Sequence, residues 1–231
     1  ALCGPDASVA AVLAPPRRRR QRGDKARYFE HPIPHASMLP ALLRGEAAPG
    51  VELVHGPPGT GKTRALVRRL SKLPRGARVL LCAPTNVGAA NLYARCVADG
   101  WGDEVALALA PDRVPPGVAV LSADPARRLV CATVSARAGS VLHGLCFDAV
   151  FLDEAAQCME AWAWTLLRAD VHTLVMAGDV RQLPAHASDS GRALRHERSL
   201  MARLLDLGYP HVALVEQNRM APELLAFPNA V

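Results

Sequence analysis

Three short polar runs, each following an apolar stretch, carry side chains suited to binding and cleaving a phosphoanhydride. The first, Gly56-Pro57-Pro58-Gly59-Thr60-Gly61-Lys62-Thr63, fits G-x-x-x-x-G-K-[ST]. Small residues let its backbone wrap a triphosphate, so that successive N–H groups and the start of a helix face the β- and γ-phosphates. Lys62 brings a cation to those phosphates, and the Thr63 hydroxyl can ligate Mg²⁺. A cradle only binds; hydrolysis also needs a carboxylate for the metal and a group that orients water. Asp153 and Glu154, closing the run Asp148-Ala149-Val150-Phe151-Leu152-Asp153-Glu154, supply both: Asp153 to hold Mg²⁺ through its water shell, Glu154 to polarise the attacking water. The bland alternative is that paired acids after a strand favour the N-terminus of the next helix.

The third run, Gly178-Asp179-Val180-Arg181-Gln182-Leu183-Pro184, ends another apolar stretch. Gln182 is neutral and long, and it both donates and accepts hydrogen bonds, which suits sensing whether a γ-phosphate is present. In isolation the same run is an ordinary turn.

These runs must be placed by strands and helices in alternation. Val51 to His55, Arg78 to Ala83, Leu129 to Val134, Asp148 to Leu152, Val171 to Ala177 and Val212 to Val215 are near-continuously apolar, as strands covered on both faces require. Helices are expected over Lys62 to Leu73, Asn86 to Ala98, Ala155 to Arg168 and His196 to Leu207, with a short one from Pro222. Gly76, Gly100 and Gly208 follow three of these, where a left-handed residue commonly ends a helix. The proline-containing stretch 99–128 is the least regular, and no repeat at a solenoid period occurs. The alternation predicts an α/β fold with a mainly parallel sheet in three layers. Trp162 and Trp164, two positions apart on one helix, are expected to pack.

In order and spacing, Gly56 to Thr63, Asp153-Glu154-Ala155-Ala156-Gln157, Gly178 to Pro184 and Gln217-Asn218-Arg219-Met220 resemble motifs I, II, III and the Q-x-R-M box of superfamily 1 helicases. The D-E-A-A-Q form is similar to the nonsense-mediated-decay branch of that superfamily. Ala83-Pro84-Thr85-Asn86 looks like motif Ia and Cys131-Ala132-Thr133-Val134-Ser135 like motif Ic. The resemblance implies a RecA-like P-loop NTPase lobe that uses ATP and Mg²⁺ and couples hydrolysis to movement on single-stranded RNA or DNA. It implies that Gln182 and Arg219 contact the γ-phosphate, that Gln157 links the ATP site to the strand side, and that Thr85, Asn86 and Thr133 touch the strand. Thr85-Asn86 serves equally well as a helix N-cap. Two features depart from the family: His35-Ala36-Ser37-Met38-Leu39-Pro40 stands where an adenine-reading glutamine is usual, leaving Tyr28 or Phe29 to stack on a base, and Asn218 stands where an aromatic is common. Members have a second RecA-like lobe, which supplies a further arginine; this sequence matches the first lobe, so weak activity is expected of it alone. The competing readings are a P-loop ATPase acting on a partner other than nucleic acid and an idle helicase-like binding module.

Composition sets the outer bounds. The 231 residues are 50% apolar, enough to fill a core, and carry a formal net charge of +6. Residues 1–35 hold seven of the basic side chains against three acidic ones, so 1–34 is expected to be a basic, flexible arm before a lobe over 35–231. Lysine occurs only at 25, 62 and 72 beside 24 arginines, a bias that makes arginine content poor evidence of nucleic-acid binding. The six cysteines form no C-x-x-C pair and the eight histidines are scattered, which speaks against zinc and for a reducing, intracellular setting, cytoplasmic or nuclear. No stretch approaches the roughly 20 apolar residues of a membrane span.

Overall fold

The computed structural model describes residues 35–120, 122–137, 142, 145–168 and 170–217. Its centre is a sheet of seven strands in the order β3-β4-β2-β5-β6-β1-β7. These are β1 Val51–His55, β2 Val79–Ala83, β3 Val105–Leu107, β4 Leu129–Thr133, β5 Ala149–Leu152, β6 Thr173–Gly178 and β7 His211–Ala213. Every pairing is parallel. All strand C-termini therefore lie along one edge, where open α/β sheets bind ligands.

The helices are α1 His35–Arg44, α2 Lys62–Arg68, α3 Asn86–Cys96, α4 Glu160–Leu166, α5 Asp189–Ala193 and α6 Leu200–Asp206. The strand interiors are apolar on both sides because both faces are covered. One core joins Leu53, Leu80, Val150 and Met176 to Met38, Leu166 and Leu204, the α1, α4 and α6 side. The other joins Val54, Leu81, Phe151 and Ala177 to Leu66, Leu92 and Tyr93, the α2 and α3 side. On the first face Arg203 stitches three helices together. Its Nε donates to Glu160 Oε1 at 2.9 Å and its Nη2 to the Leu42 carbonyl at 2.9 Å.

The expected strands occur, with ends shifted by one or two residues. Strand β3 and helix α1 were not expected: β3 is a three-residue edge strand in a proline-rich stretch, and α1 contains Pro40. The helix expected over Ala155 to Arg168 is two pieces, a 3₁₀ turn at Ala155–Gln157 and then α4, because Cys158 and Met159 are extended. Lys62 to Leu73 tightens into a 3₁₀ turn over Arg69–Lys72, and His196 to Leu207 starts only at Leu200, capped by Ser199. Gly100 and Gly208 are left-handed as expected; Gly76 is not. Trp164 packs on the core and its Nε1 donates to Glu160, whereas Trp162 is 38% exposed and faces solvent. The helix from Pro222 lies outside the described residues.

Candidate active site

The loop 56–61 leaves β1 at the C-terminal edge and enters α2 at Lys62. Gly59 and Gly61 have φ of 78° and 80°, a region open to glycine at little cost. The N-cap of α2 is Gly61, which has no side chain to accept from the first turn. Lys62 is buried, and its ammonium donates to the carbonyls of Gly56 at 3.0 Å and Pro57 at 3.4 Å.

Strand β5, two places from β1, delivers the acids. Asp153 is 5% exposed; the Thr63 hydroxyl donates to its Oδ2 at 2.6 Å and the Glu154 N–H to its Oδ1 at 3.1 Å. Burial pushes the Asp153 carboxyl up, against the pull of Thr63, the Glu154 N–H and the Lys62 charge. Glu154 has φ 50° and ψ 40°, a left-handed conformation in a residue that has a Cβ. Such a conformation costs about 1–2 kcal/mol and turns the chain sharply off the strand, so that Gln157 Nε2 reaches back to Glu154 Oε2 at 3.5 Å.

Strand β6 lies between the two and brings the third run. The Gly178 carbonyl accepts from the Gly56 N–H at 3.2 Å. A Cβ on Gly178 would stand 2.9 Å from the Ala156 nitrogen and 3.2 Å from that of Ala155. This one glycine thus touches the phosphate loop through its carbonyl and the acidic turn through its missing side chain. Asp179, buried, accepts from the Gln182 amide at 3.0 Å and from the Arg181 N–H at 3.1 Å, which fixes Gln182 at the mouth of the site. Burial pushes the Asp179 carboxyl up, yet the Gln182 amide, the Arg181 N–H, Lys62 and His55 together hold it below the ordinary aspartate range.

Lys62, Thr63, Asp153, Glu154 and Gln182 therefore gather along one sheet edge. Thr85 is exposed at the end of β2, its hydroxyl accepting from the Gly88 N–H at 3.0 Å as the N-cap of α3, with Asn86 beside it. Thr133, at the end of β4, is only 7% exposed and its hydroxyl turns back to Ser135 Oγ at 3.1 Å; Ser135 is the exposed hydroxyl of that turn. Arg219 lies outside the described residues. Sequence reasoning missed Gly178, Asp179 and His55 as parts of the site. The Asp-x-x-Gln spacing was a signal for Asp179, because an aspartate bonds readily to nearby N–H groups ahead of it. For Gly178 and His55 the only signal was their place at the ends of two strands.

A hydroxyl and a buried carboxylate 2.6 Å apart are hard oxygen donors of the kind Mg²⁺ takes. No group of three or more His, Cys, Asp or Glu side chains placed to hold a metal occurs among the described residues. No helix among the described residues is long and apolar enough to cross a membrane.

A protein-family model described as an AAA domain matches residues 35–110 and 125–188. The chain is 28% identical over 232 aligned positions to "Putative helicase mov-10-B.1" of Danio rerio, covering 81% of this chain and 23% of that protein. It is 28% identical over 263 positions to "ATP-dependent helicase NAM7" of Saccharomyces cerevisiae, covering 87% of this chain and 26% of that one. The chain thus spans about a quarter of the length of these relatives. Among solved structures it is similar in fold to arterivirus nonstructural protein 10, a helicase in complex with DNA, with a TM-score of 0.54 and 17% identity over 78% of this chain and 39% of that chain. With the phosphate loop, the acidic turn and the glutamine turn on one edge of a parallel sheet, the chain has a RecA-like fold and belongs to the AAA domain family.

Proposed function

We propose that this chain is the ATP-binding lobe of a helicase or translocase that couples Mg²⁺-ATP hydrolysis to movement along single-stranded nucleic acid. The observation that carries this reading is the Thr63–Asp153 hydrogen bond of 2.6 Å, which joins the phosphate loop to the acidic turn across the sheet edge. Gly56, Pro57, Pro58, Gly59, Thr60 and Gly61 form the cradle. Lys62, held now on two loop carbonyls, releases them for the β- and γ-phosphates. Thr63 and Asp153 hold Mg²⁺, which when bound supplies positive charge to the phosphate oxygens. Glu154, turned out of the strand, orients the attacking water and takes its proton. Gln182, braced by Asp179, reads the γ-phosphate together with Arg219.

Thr85, Asn86 and Thr133 stand at the ends of neighbouring strands β2 and β4, to one side of β5, and we assign the strand contact to that side. The substrate strand, RNA or DNA, and a second lobe of the same protein complete the machine; finger arginines of the kind such a lobe brings are worth on the order of 10³ or more in rate, so the first lobe alone turns over slowly. Residues 1–34 are assigned as a basic arm outside the lobe that spans 35–231. Cys82, Cys96, Cys131 and Cys158 are buried thiols, which supports a reducing, cytoplasmic or nuclear setting. The direct test is titration of this chain with a fluorescent ATP analogue and Mg²⁺. Saturable binding that Lys62→Ala abolishes without lowering the melting temperature is expected; unchanged affinity in Lys62→Ala refutes the loop assignment.

A further inference from the structure

His55 is the last residue of β1 and the residue before the phosphate loop, and the reading of the site so far gives it no task. Its register partners are Gly178 on β6 and Ala213 on β7, so its side chain sits at the edge beside the glutamine turn. His55 Nε2 lies 3.4 Å from Asp179 Oδ1. That nitrogen is shut off from solvent and has no hydrogen-bond partner among the described residues. On the other side the ring meets His211 edge-on, with centroids 5.9 Å apart. Its own carbonyl is engaged by the Leu214 N–H at 2.8 Å, so the backbone of β1 and the ring are confined together. Asp179 in turn is the acceptor that holds the Gln182 amide at 3.0 Å.

A short path therefore runs from the first residue of the phosphate loop to the glutamine through His55 and Asp179. A buried ring nitrogen that faces a carboxylate without a hydrogen bond is a contact poised to tighten, since leaving it unmade is costly and a small rotation of the ring satisfies it. The backbone link between Gly56 and the Gly178 carbonyl, 3.2 Å, runs parallel to this path and holds the two strand ends at fixed spacing. The residue next to Gly56 is thus the one whose ring stands beside Asp179.

We propose that His55 is a positioning residue for γ-phosphate recognition: its imidazole steadies Asp179, and through Asp179 it sets the Gln182 amide where a triphosphate, and not a diphosphate, can engage it. The inference rests on the proposed role of loop 56–63 and of Gln182. It makes the preference for triphosphate over diphosphate, rather than nucleotide affinity as such, the quantity that His55 controls.

The test is a set of titrations of this chain with fluorescent ADP and with a nonhydrolysable fluorescent ATP analogue, both with Mg²⁺, in wild type, His55→Leu, His55→Gln, Gln182→Ala and the His55→Leu/Gln182→Ala double variant. His55→Leu is expected to leave ADP affinity within about twofold and to lower the triphosphate preference about five- to tenfold, within the range for one ordinary hydrogen bond. His55→Gln, which keeps a donor, restores most of the preference. The double variant is no worse than Gln182→Ala alone, because the two residues act in series. Melting curves of the same proteins separate misfolding from loss of selectivity, and a His55→Leu protein that fails to fold is replaced by His55→Asn. Binding of both nucleotides by Lys62→Ala overturns the reading of the loop itself. Wild-type preference in His55→Leu beside lost preference in Gln182→Ala overturns the role of His55 alone, as does additive loss in the double variant.

Discussion

Replacing Thr63 with valine removes one hydroxyl and almost no volume, so its effect isolates the bond to Asp153. That bond is short, 2.6 Å, and its acceptor is 5% exposed. Among the described residues the carboxyl's other donor is the Glu154 N–H at 3.1 Å. A hydrogen bond to a buried charge is worth about 1.5–3 kcal/mol. The cost stays at the lower end if the carboxyl takes up a proton, which burial already favours. For a domain of this size each kcal/mol lowers the melting temperature by about 2–4 °C, so a drop of roughly 3–12 °C is expected without any ligand. Thr63→Ser keeps the hydroxyl and loses about 0.8 kcal/mol with its methyl group. Calorimetry or circular dichroism in nucleotide-free buffer reads all three proteins. If Thr63→Val melts within about 1 °C of the wild type, the link between the loop and the acidic turn carries no energy and the reasoning built on it fails.

Three further outcomes follow from the same geometry. Glu154→Gly relieves the left-handed strain and is expected to raise stability by about 1 kcal/mol while ending hydrolysis; a lowered urea midpoint contradicts the strain. Gly178→Ala drives a methyl group to 2.9 Å from the Ala156 nitrogen and 3.0 Å from Met201 Sδ, so a loss of about 1–3 kcal/mol is expected, with weakened Mg²⁺-nucleotide binding, and a neutral effect in urea contradicts the close approach. Asp179 has a folded pKa below its unfolded one, so its contribution is complete above the ordinary aspartate range and fades as pH falls through the lower, folded value. The stability gap between wild type and Asp179→Asn is therefore expected to shrink in acid below about pH 4, and a gap that widens there contradicts the sign.

Much of this lobe is legible in the residues because its strands are buried on both faces. A continuous apolar run such as Val79 to Ala83 leaves little choice of structure, and the alternation with helices dictates parallel pairing. Strand β3 escaped because three residues at a sheet edge leave no periodicity to detect, and α1 because it holds Pro40 in its interior, where a helix normally excludes proline. The break in the helix after the acidic turn was illegible for a different reason. Ala155 to Arg168 has a good helical composition, but Glu154 leaves the strand in a left-handed turn, and Met159 bridges to Ser199. Tertiary contact there overrides local preference. In the site, residues with chemistry of their own were found from type and spacing, whereas Gly178 and His55 owe their parts to which strand ends the sheet makes neighbours. Strand order cannot be read from a linear pattern.

The central claim is that the lobe's ATP chemistry answers to a nucleic-acid strand. It is tested most directly by Mg²⁺-ATPase activity of the full-length protein, including the proposed second lobe, measured with and without single-stranded RNA and single-stranded DNA, beside its Lys62→Ala variant. The account predicts hydrolysis that rises on addition of one or both polymers and is absent in Lys62→Ala. Hydrolysis that is indifferent to both polymers, with Lys62→Ala inactive, would leave an ATPase standing and contradict the motor.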